Sequence, residues 1–300
     1  MPPSPMLPAY PEFAPIGLEH QEEAGRLLAE AQPTSSELSF TNLFIWRHHY
    51  RFRVSTLAGC LLVLGQTPGA EPFLLPPAGS GAADVCRRLL NERRVARSIE
   101  RVPEGYLEGC GLSPEEFTLT EDRDQADYVY PVEDLIRLPG NRYAAKRNHL
   151  KRFRAQYRWE YRRLTAELVP ECLRFEEDWC RVRACPRQLG LEAERVAIWE
   201  ALEGFGRLGY VGGAILVEGK VAAFSLGERL NDECAAVHIE KANPEIEGIY
   251  QAINQQLLEH ELSQFRFINR EQDLGDAGLR RAKLSYHPHH LVRKFVVSAR

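Results

Sequence analysis

The sequence predicts an α/β (α+β) fold of mixed, mostly antiparallel sheets flanked by helices. Three observations predict it. Short strand-like runs alternate with amphipathic helical runs through the first 130 residues, a meander of three longer strand runs occupies 210–240, and a helix–strand–helix–strand order follows to the C-terminus. With 300 residues the chain is long enough for two domains of ordinary size. Its 44% hydrophobic and 27% charged content suits a globular chain with a core. No window approaches about eighteen uninterrupted apolar residues, so no membrane-spanning helix is expected. The net charge of −4 argues against bulk, non-specific nucleic-acid binding and leaves only local patches open to anions.

In chain order, the proline-rich start MPPSPMLPAYPEFAP lacks the basic and apolar regions of a signal peptide and reads as an extended lead-in over residues 1–12. Leu18–Ala31 reads as a helix, and Phe40, Leu43, Phe44 and Arg47 repeat at helical spacing in FTNLFIWRHHY. Arg51–Leu57 and Cys60–Gly65 flank an Ala-Gly turn, a hairpin signal, with Pro72–Leu75 as a further short strand. Helices are expected over Ala82–Arg94 and Pro103–Cys110, and strands over Val95–Glu100, Phe117–Thr120 and Asp127–Tyr130. Seven scattered cysteines without a CxxC pair predict neither a zinc site nor a disulfide scaffold, but reduced thiols in a cytoplasmic protein.

The composition shifts at Pro139-Gly140. Arg142–Arg163 holds nine Lys or Arg against the single acid Glu160, in a chain that is acidic overall. Tyr143, Leu150, Phe153 and Tyr157 share one helical face, so the helix anchors there and turns its cations outward. A solvated face usually mixes its signs, because like charges at i,i+4 repel. Lys146, Arg147, Asn148, Lys151, Arg154 and Arg158 are therefore candidates for phosphate contacts. Domain boundaries follow: 13–140 for a first domain, 141–158 for a bridging basic helix and 159–300 for a second domain.

Glu171–Val182 and Glu192–Leu208 read as helices, with Cys172, Cys180 and Cys185 near one another but without His partners at metal spacing. Tyr210–Glu218, Lys220–Arg229 and Cys234–Glu240 form the antiparallel meander. Ile246, Ile249, Tyr250, Ile253, Leu257 and Leu258 mark a core-facing helix, preceded by a loop with Gly248 whose free N–H groups suit a phosphate. In FRFINREQDLGDAGLRRAKLSY, Phe265, Phe267, Asn269, Glu271 and Asp273 alternate as on a strand. Asp273 then reads as the N-cap of a helix containing Gly275 and Gly278, each costing about 1 kcal/mol against Ala and so marking a close approach. Arg280, Arg281 and Lys283 follow, and Leu291–Val297 closes the chain as a strand.

The order of meander, loop, helix, strand, helix and strand is that of the GNAT fold of N-acetyltransferases. With DYVY at 127–130, LPGNRYAAKRNHLKRF at 138–153, Glu240-Lys241-Ala242, and NREQDLGDAGLRRAKLSY at 269–286, the chain resembles the phosphatidylglycerol lysyltransferase C-terminal-domain family. The resemblance implies two GNAT-like domains in tandem, bridged by the basic helix. It also implies transfer of an aminoacyl group from aminoacyl-tRNA to a hydroxyl or amine acceptor, with the helix on the tRNA acceptor end and no cofactor required. The transmembrane portion of the lipid-modifying enzymes has no counterpart here, so the acceptor is left open among lipid, peptide and small molecule. Under this reading Glu271, Asp273, Asn269, Lys283 and Tyr286 are the catalytic candidates. Glu240, Lys241, Gly248, Arg270, Gly275, Gly278 and Arg280 are the substrate-binding ones. Two other functions stay open: an acyl-coenzyme A-dependent acyltransferase, and a noncatalytic module for a phosphate-bearing ligand or RNA end.

Overall fold

A computed structural model describes residues 7–183 and 189–300. The chain forms two compact units that interleave in sequence: Met1–Tyr128, Gln272–Arg280 and Leu291–Arg300 make the first, and Val129–Glu271 and Arg281–His290 the second. The fold class is the expected one, with two mostly antiparallel sheets flanked by helices.

The first sheet has the order β1 (Ala14–Pro15), β2 (Arg53–Leu57), β3 (Cys60–Gly65), β4 (Phe73–Leu74), β5 (Ser98–Pro103), β14 (Lys294–Ala299), β6 (Phe117–Glu121). The β2–β3 hairpin turns on Ala58 and Gly59, both at positive φ (50° and 77°), which matches the right-handed twist of the paired strands. β3 is buried throughout, and the helix Ala82–Glu92 lays Val85, Cys86, Leu89 and Leu90 into the same core. Residues 7–12 are no loose lead-in. Leu7 is buried and Ala9 bridges Thr56.

The C-terminus differs from the single strand expected. β13 (His290–Val292) and β14 belong to different sheets, and β14 pairs antiparallel with both β5 and β6. A linear boundary near residue 140 therefore does not divide the chain, because its last strand completes the first sheet. Lys294 at the head of β14 is fully buried and donates to Glu37 (2.7 and 2.9 Å) and Asp127 (2.7 Å). Asp127 also accepts from the Ser36 amide (2.9 Å), so the acid that opens DYVY balances a buried ammonium.

The second sheet runs β13, β7 (Asp127–Pro131), β12 (Phe267–Asn269), β11 (Cys234–Ala242), β10 (Lys220–Arg229), β9 (Val211–Val217), β8 (Trp159–Arg163). The β9–β10–β11 meander is antiparallel as expected, and β12 joins β11 in parallel after the helix Ile249–Leu257, completing a GNAT-like order. Ile249, Ile253, Leu257 and Leu258 are fully buried. The basic helix runs Ala144–Gln156 and buries Leu150 and Phe153 together with Tyr143 just before it. It stops short of Arg158 because Tyr157 turns extended (φ −120°, ψ 143°), and the last cations lie on or beside the edge strand β8. The helix Val132–Arg137 and β8 were not anticipated. Among the described residues no helix is long and apolar enough to cross a membrane.

Candidate functional site

The end of β11 organises the second unit. Period two sends Glu240 and Lys241 to opposite faces of the sheet. On one face Glu240 accepts from Arg270 Nη2 (2.9 and 3.1 Å) and from Asn254 (3.2 Å), a residue of the helix Ile249–Leu257. Arg270 follows directly on β12 and its side chain is 13% exposed. Its guanidinium lies 5.0 Å from the Tyr286 ring centroid and 5.9 Å from that of Tyr130, while Nη1 is buried without a hydrogen-bond partner.

Lys146, from the basic helix, places Nζ 4.0 Å from the centroid of the same Tyr286 ring and donates to Ser285 Oγ (2.7 Å). Burial and the charge of Arg270 push the Lys146 ammonium down to about 8, against the opposing pull of Glu240. Two cations and one carboxylate thus surround one aromatic ring, with one positive charge in excess. Burial also raises the Tyr286 hydroxyl above its ordinary value. Tyr143 and Tyr130 fix the segment from behind, donating to the carbonyls of Tyr286 (2.9 Å) and Lys283 (2.8 Å).

Beside this cluster the expected alternation fails. β12 ends at Asn269, and Glu271 is left-handed (φ 56°). Asn269 is fully buried and its Oδ1 accepts the Glu271 amide (2.8 Å), while Lys283 Nζ donates to the carbonyls of Arg270 and Glu271. Asn269 and Lys283 therefore hold the turn. The Glu271 carboxylate meets His238 Nδ1 (2.7 Å), and Glu228 meets Nε2 (2.9 Å) of the same buried ring. Burial alone would depress this imidazole, but hydrogen bonds to the two glutamates and their charges raise it to about 10. His238 is an imidazolium clamped between two carboxylates.

Asp273, Gly275, Gly278 and Arg280 fall in the first unit. Asp273 is fully buried and accepts from Arg280 (2.8 and 2.8 Å), Tyr128 (2.5 Å), Arg123 (3.3 Å) and the Gly275 amide (3.0 Å). Burial acts to raise its pKa, yet these donors hold the carboxyl well below the usual range. A carboxylate so saturated is a clamp for the turn. The N-cap is Asp276, which accepts from the Leu279 amide (2.6 Å), and the helix runs only Ala277–Leu284. Gly275 precedes it at φ 79°, and a Cβ there would lie 2.9 Å from Asp124 Oδ2, so this glycine serves a left-handed turn outside the helix.

On the basic helix, Arg147 donates to the carbonyls of Leu138 (2.5 Å) and Gly140 (2.6 Å), and Arg154 to the Gln255 side chain (2.8 Å). Arg137, Leu138, Arg147, Leu150, Lys151, Arg154, Ala155 and Gln255 line a groove of about 510 Å³. Asn148 and Arg158 are exposed outside it, and Arg158 is loosely paired with Glu218 (3.8 Å). Gly248 lies at the start of the helix Ile249–Leu257. It stands at φ 83°, and a Cβ there would come 2.4 Å from the His149 carbonyl, so the glycine admits the basic helix and an acceptor oxygen faces it. Glu247 reinforces the contact through Arg152 (2.8 Å) and His149 (3.2 Å).

Residues 28–298 match the family described as phosphatidylglycerol lysyltransferase, C-terminal. The chain belongs to that family. A conserved protein of unknown function from Bacteroides thetaiotaomicron is 35% identical, with 98% of this chain and 100% of that one superposed at a TM-score of 0.90. The C-terminal domain of a putative lysylphosphatidylglycerol synthetase from Agrobacterium fabrum shares the fold at 12% identity, with 94% and 92% covered and a TM-score of 0.66. An uncharacterized protein of Mycoplasmoides gallisepticum is 24% identical over 174 residues, and the match spans 57% of this chain and 55% of that protein.

Several side chains in the site of this lysyltransferase-family chain escaped the sequence reading. His238 stands at a bulge in β11, where Leu226 pairs with Ile239 and Gly227 with Val237, so strand alternation in VHIEKA could not have placed its ring. Glu228, Asn254 and Tyr130 reach the site through tertiary contacts without local pattern. On the other face of β11, Lys241 donates to Glu194 (2.7 Å) and lies 3.7 Å from the Trp179 ring centroid. Glu176 beside it is fully buried with Oε2 unpartnered, and burial pushes its carboxyl up to about 7. Of the three cysteines expected nearby, Cys172 is a buried free thiol, Cys180 is disulfide-bonded and so not reduced, and Cys185 lies outside the described residues.

Proposed function

We propose that the chain moves an aminoacyl group from aminoacyl-tRNA to a hydroxyl or amine acceptor by direct attack. One observation carries this reading: the basic helix Ala144–Gln156 presents cations along a groove and also delivers Lys146 to the Arg270–Glu240–Tyr286 cluster. A single helix thereby links a cationic face to a charged, half-buried site. Family membership supports the reaction class.

The chemistry balances without a covalent enzyme intermediate. The acceptor oxygen or nitrogen bonds to the acyl carbon, the ester bond to the ribose oxygen breaks, the acceptor loses a proton and the ribose oxygen gains one. Glu240 is the carboxylate that takes the acceptor proton. Arg270 and Lys146 supply positive charge for the developing oxyanion. Lys146, whose ammonium releases its proton near pH 8, is the donor to the ribose oxygen. Glu271, Asp273, Asn269 and Lys283 act as positioning residues, because their polar atoms already hold the surrounding turns.

The acyl-coenzyme A alternative is weakened by Gly248. A phosphate there would need donors around it, and the His149 carbonyl oxygen is a close neighbour of this glycine. The test is transfer of radiolabelled amino acids from bulk charged tRNA to lipid, peptide and small-molecule acceptors by purified protein. Label transfer that Glu240→Gln abolishes supports the proposal. Transfer from acetyl-coenzyme A, with none from charged tRNA, would replace it with the alternative.

A further inference from the structure

Three cysteines meet in the core of the first unit. Cys60 on β3, Cys86 on the helix Ala82–Glu92 and Cys110 at the end of the helix Glu104–Cys110 belong to one buried cluster, all as free thiols. The two helices face each other through polar atoms here. The Tyr106 hydroxyl lies 3.3 Å from Cys86 Sγ and donates to the Pro77 carbonyl (2.8 Å), which holds it beside that thiol. Cys110 follows Tyr106 by four residues and so shares its helical face. The Cys86 thiol donates to the Cys110 sulfur.

The pair is unequal. Cys60 and Cys86 are fully buried, whereas Cys110 is 9% exposed. Arg87, the residue after Cys86, donates from Nη2 to the Gly111 carbonyl (2.8 Å) and sets a guanidinium beside Cys110. The hydrogen bond from Cys86 outweighs burial and, with Tyr106 and the charge of Arg87, brings the Cys110 thiol down to about 7. The same hydrogen bond and burial push Cys86 far above the ordinary thiol range, and burial raises Cys60. Cys172 in the second unit is the contrast, fully buried and pushed up to about 12 by burial. Thiols closed in apolar surroundings are inert, while a thiolate with access, a cation and a second thiol beside it is oxidised and resolved.

We propose that Cys110 and Cys86 form a peroxide-oxidised pair, in which Cys110 meets the oxidant and Cys86 closes a disulfide onto it. The Cys110 sulfur bonds to one oxygen of hydrogen peroxide, the O–O bond breaks, and the departing hydroxide takes up the proton that Cys110 had released. The Cys86 sulfur then bonds to the Cys110 sulfur, the S–O bond breaks, and the second hydroxide leaves as water with the Cys86 proton. Two thiols are oxidised to a disulfide and one peroxide is reduced to two waters. The bridge joins the helices Ala82–Glu92 and Glu104–Cys110, and it uses no residue assigned to aminoacyl transfer.

The test treats the intact protein with hydrogen peroxide at pH 7, blocks remaining thiols with N-ethylmaleimide and maps the unreduced peptides by mass spectrometry. A Cys86–Cys110 cross-linked peptide should form and vanish on reduction with dithiothreitol. In Cys86→Ala, where no thiol resolves the sulfenic acid, dimedone added with the peroxide should label Cys110. Alkylation of the untreated native protein by iodoacetamide reads the same asymmetry without a variant. Its rate at Cys110 should rise about tenfold from pH 6 to pH 8 and level off above, as a thiol near 7 requires. Cys60, Cys86 and Cys172 should stay unlabelled until the chain is unfolded. Full recovery of free thiols after peroxide, a Cys60–Cys110 bridge in place of the one named, or alkylation of Cys110 no faster than that of Cys172 would each overturn the proposal.

Discussion

Replacing His238 by Gln tests whether Glu271 is a reactive carboxylate or one jaw of a buried clamp. The His238 ring is 1% exposed and its two nitrogens lie 2.7 and 2.9 Å from Glu271 and Glu228, whose side chains are 16% and 10% exposed. Removing the imidazolium leaves two buried carboxylates facing a neutral amide. Breaking a buried pair in this way costs about 3–5 kcal/mol, and a Gln able to donate to one carboxylate places the expected loss near the lower figure. The clamp is also pH-dependent. Its pKa is raised from 6.5 to about 10, so its stabilisation is fully present below pH 6.5 and is lost as pH rises through 10. Urea unfolding at pH 6.5, 8.5 and 10 should show a falling midpoint for the wild type. His238→Gln should start about 3 kcal/mol lower at pH 6.5 and lack that fall. A variant within about 0.5 kcal/mol of wild type at pH 6.5, with the same pH slope, would refute the clamp and return Glu271 to the list of bases.

Glu240→Gln should lower turnover by at least about a hundredfold while leaving charged-tRNA affinity within about twofold, as expected for a lost general base; comparable loss of binding would make Glu240 a ligand contact only. Asp273→Asn should destabilise the chain by about 2–3 kcal/mol, because it removes a buried acceptor of charge-assisted bonds. Its lowered pKa contributes stability above the ordinary carboxylate range that disappears as pH falls through and below that range, so the variant should differ from wild type at pH 7 and converge with it in acid, as read by thermal unfolding. Gly248→Ala should cost more than the 1 kcal/mol or so of a positive-φ substitution, since its Cβ would lie 2.4 Å from a backbone oxygen. Hydrogen exchange in the basic helix should rise with it, and unchanged exchange would show that the helix does not depend on that contact.

Most of the fold was legible because its signals are local. The Ala58-Gly59 hairpin, the meander from 211 to 242 and the apolar stripe of the helix Ile249–Leu257 all lie where periodicity and turn residues put them. The course of residues 269–300 was not legible, because Glu271 takes a left-handed conformation that ends the strand early. Arg293 also separates two strands whose sheets are chosen by distant partners. The site divided likewise. Glu240, Arg270, Tyr286 and Lys146 were named from sequence and come together in the second unit. Asp273 looked reactive in sequence because its neighbours Arg123, Tyr128 and Arg280 are brought to it only by folding. Gly275 and Gly248 looked like ligand approaches for the same reason, and one turns the chain while the other seats a helix.

Aminoacyl transfer from charged tRNA tests the central claim most directly. Purified protein, bulk tRNA charged with labelled amino acids and a mixed pool of acceptors should yield labelled, tRNA-free product. Label should be lost with Glu240→Gln and reduced by Lys151→Ala/Arg154→Ala. Labelled product formed equally well by Glu240→Gln would contradict the assigned chemistry, and product formed only from an acyl-coenzyme A donor would contradict the assigned function.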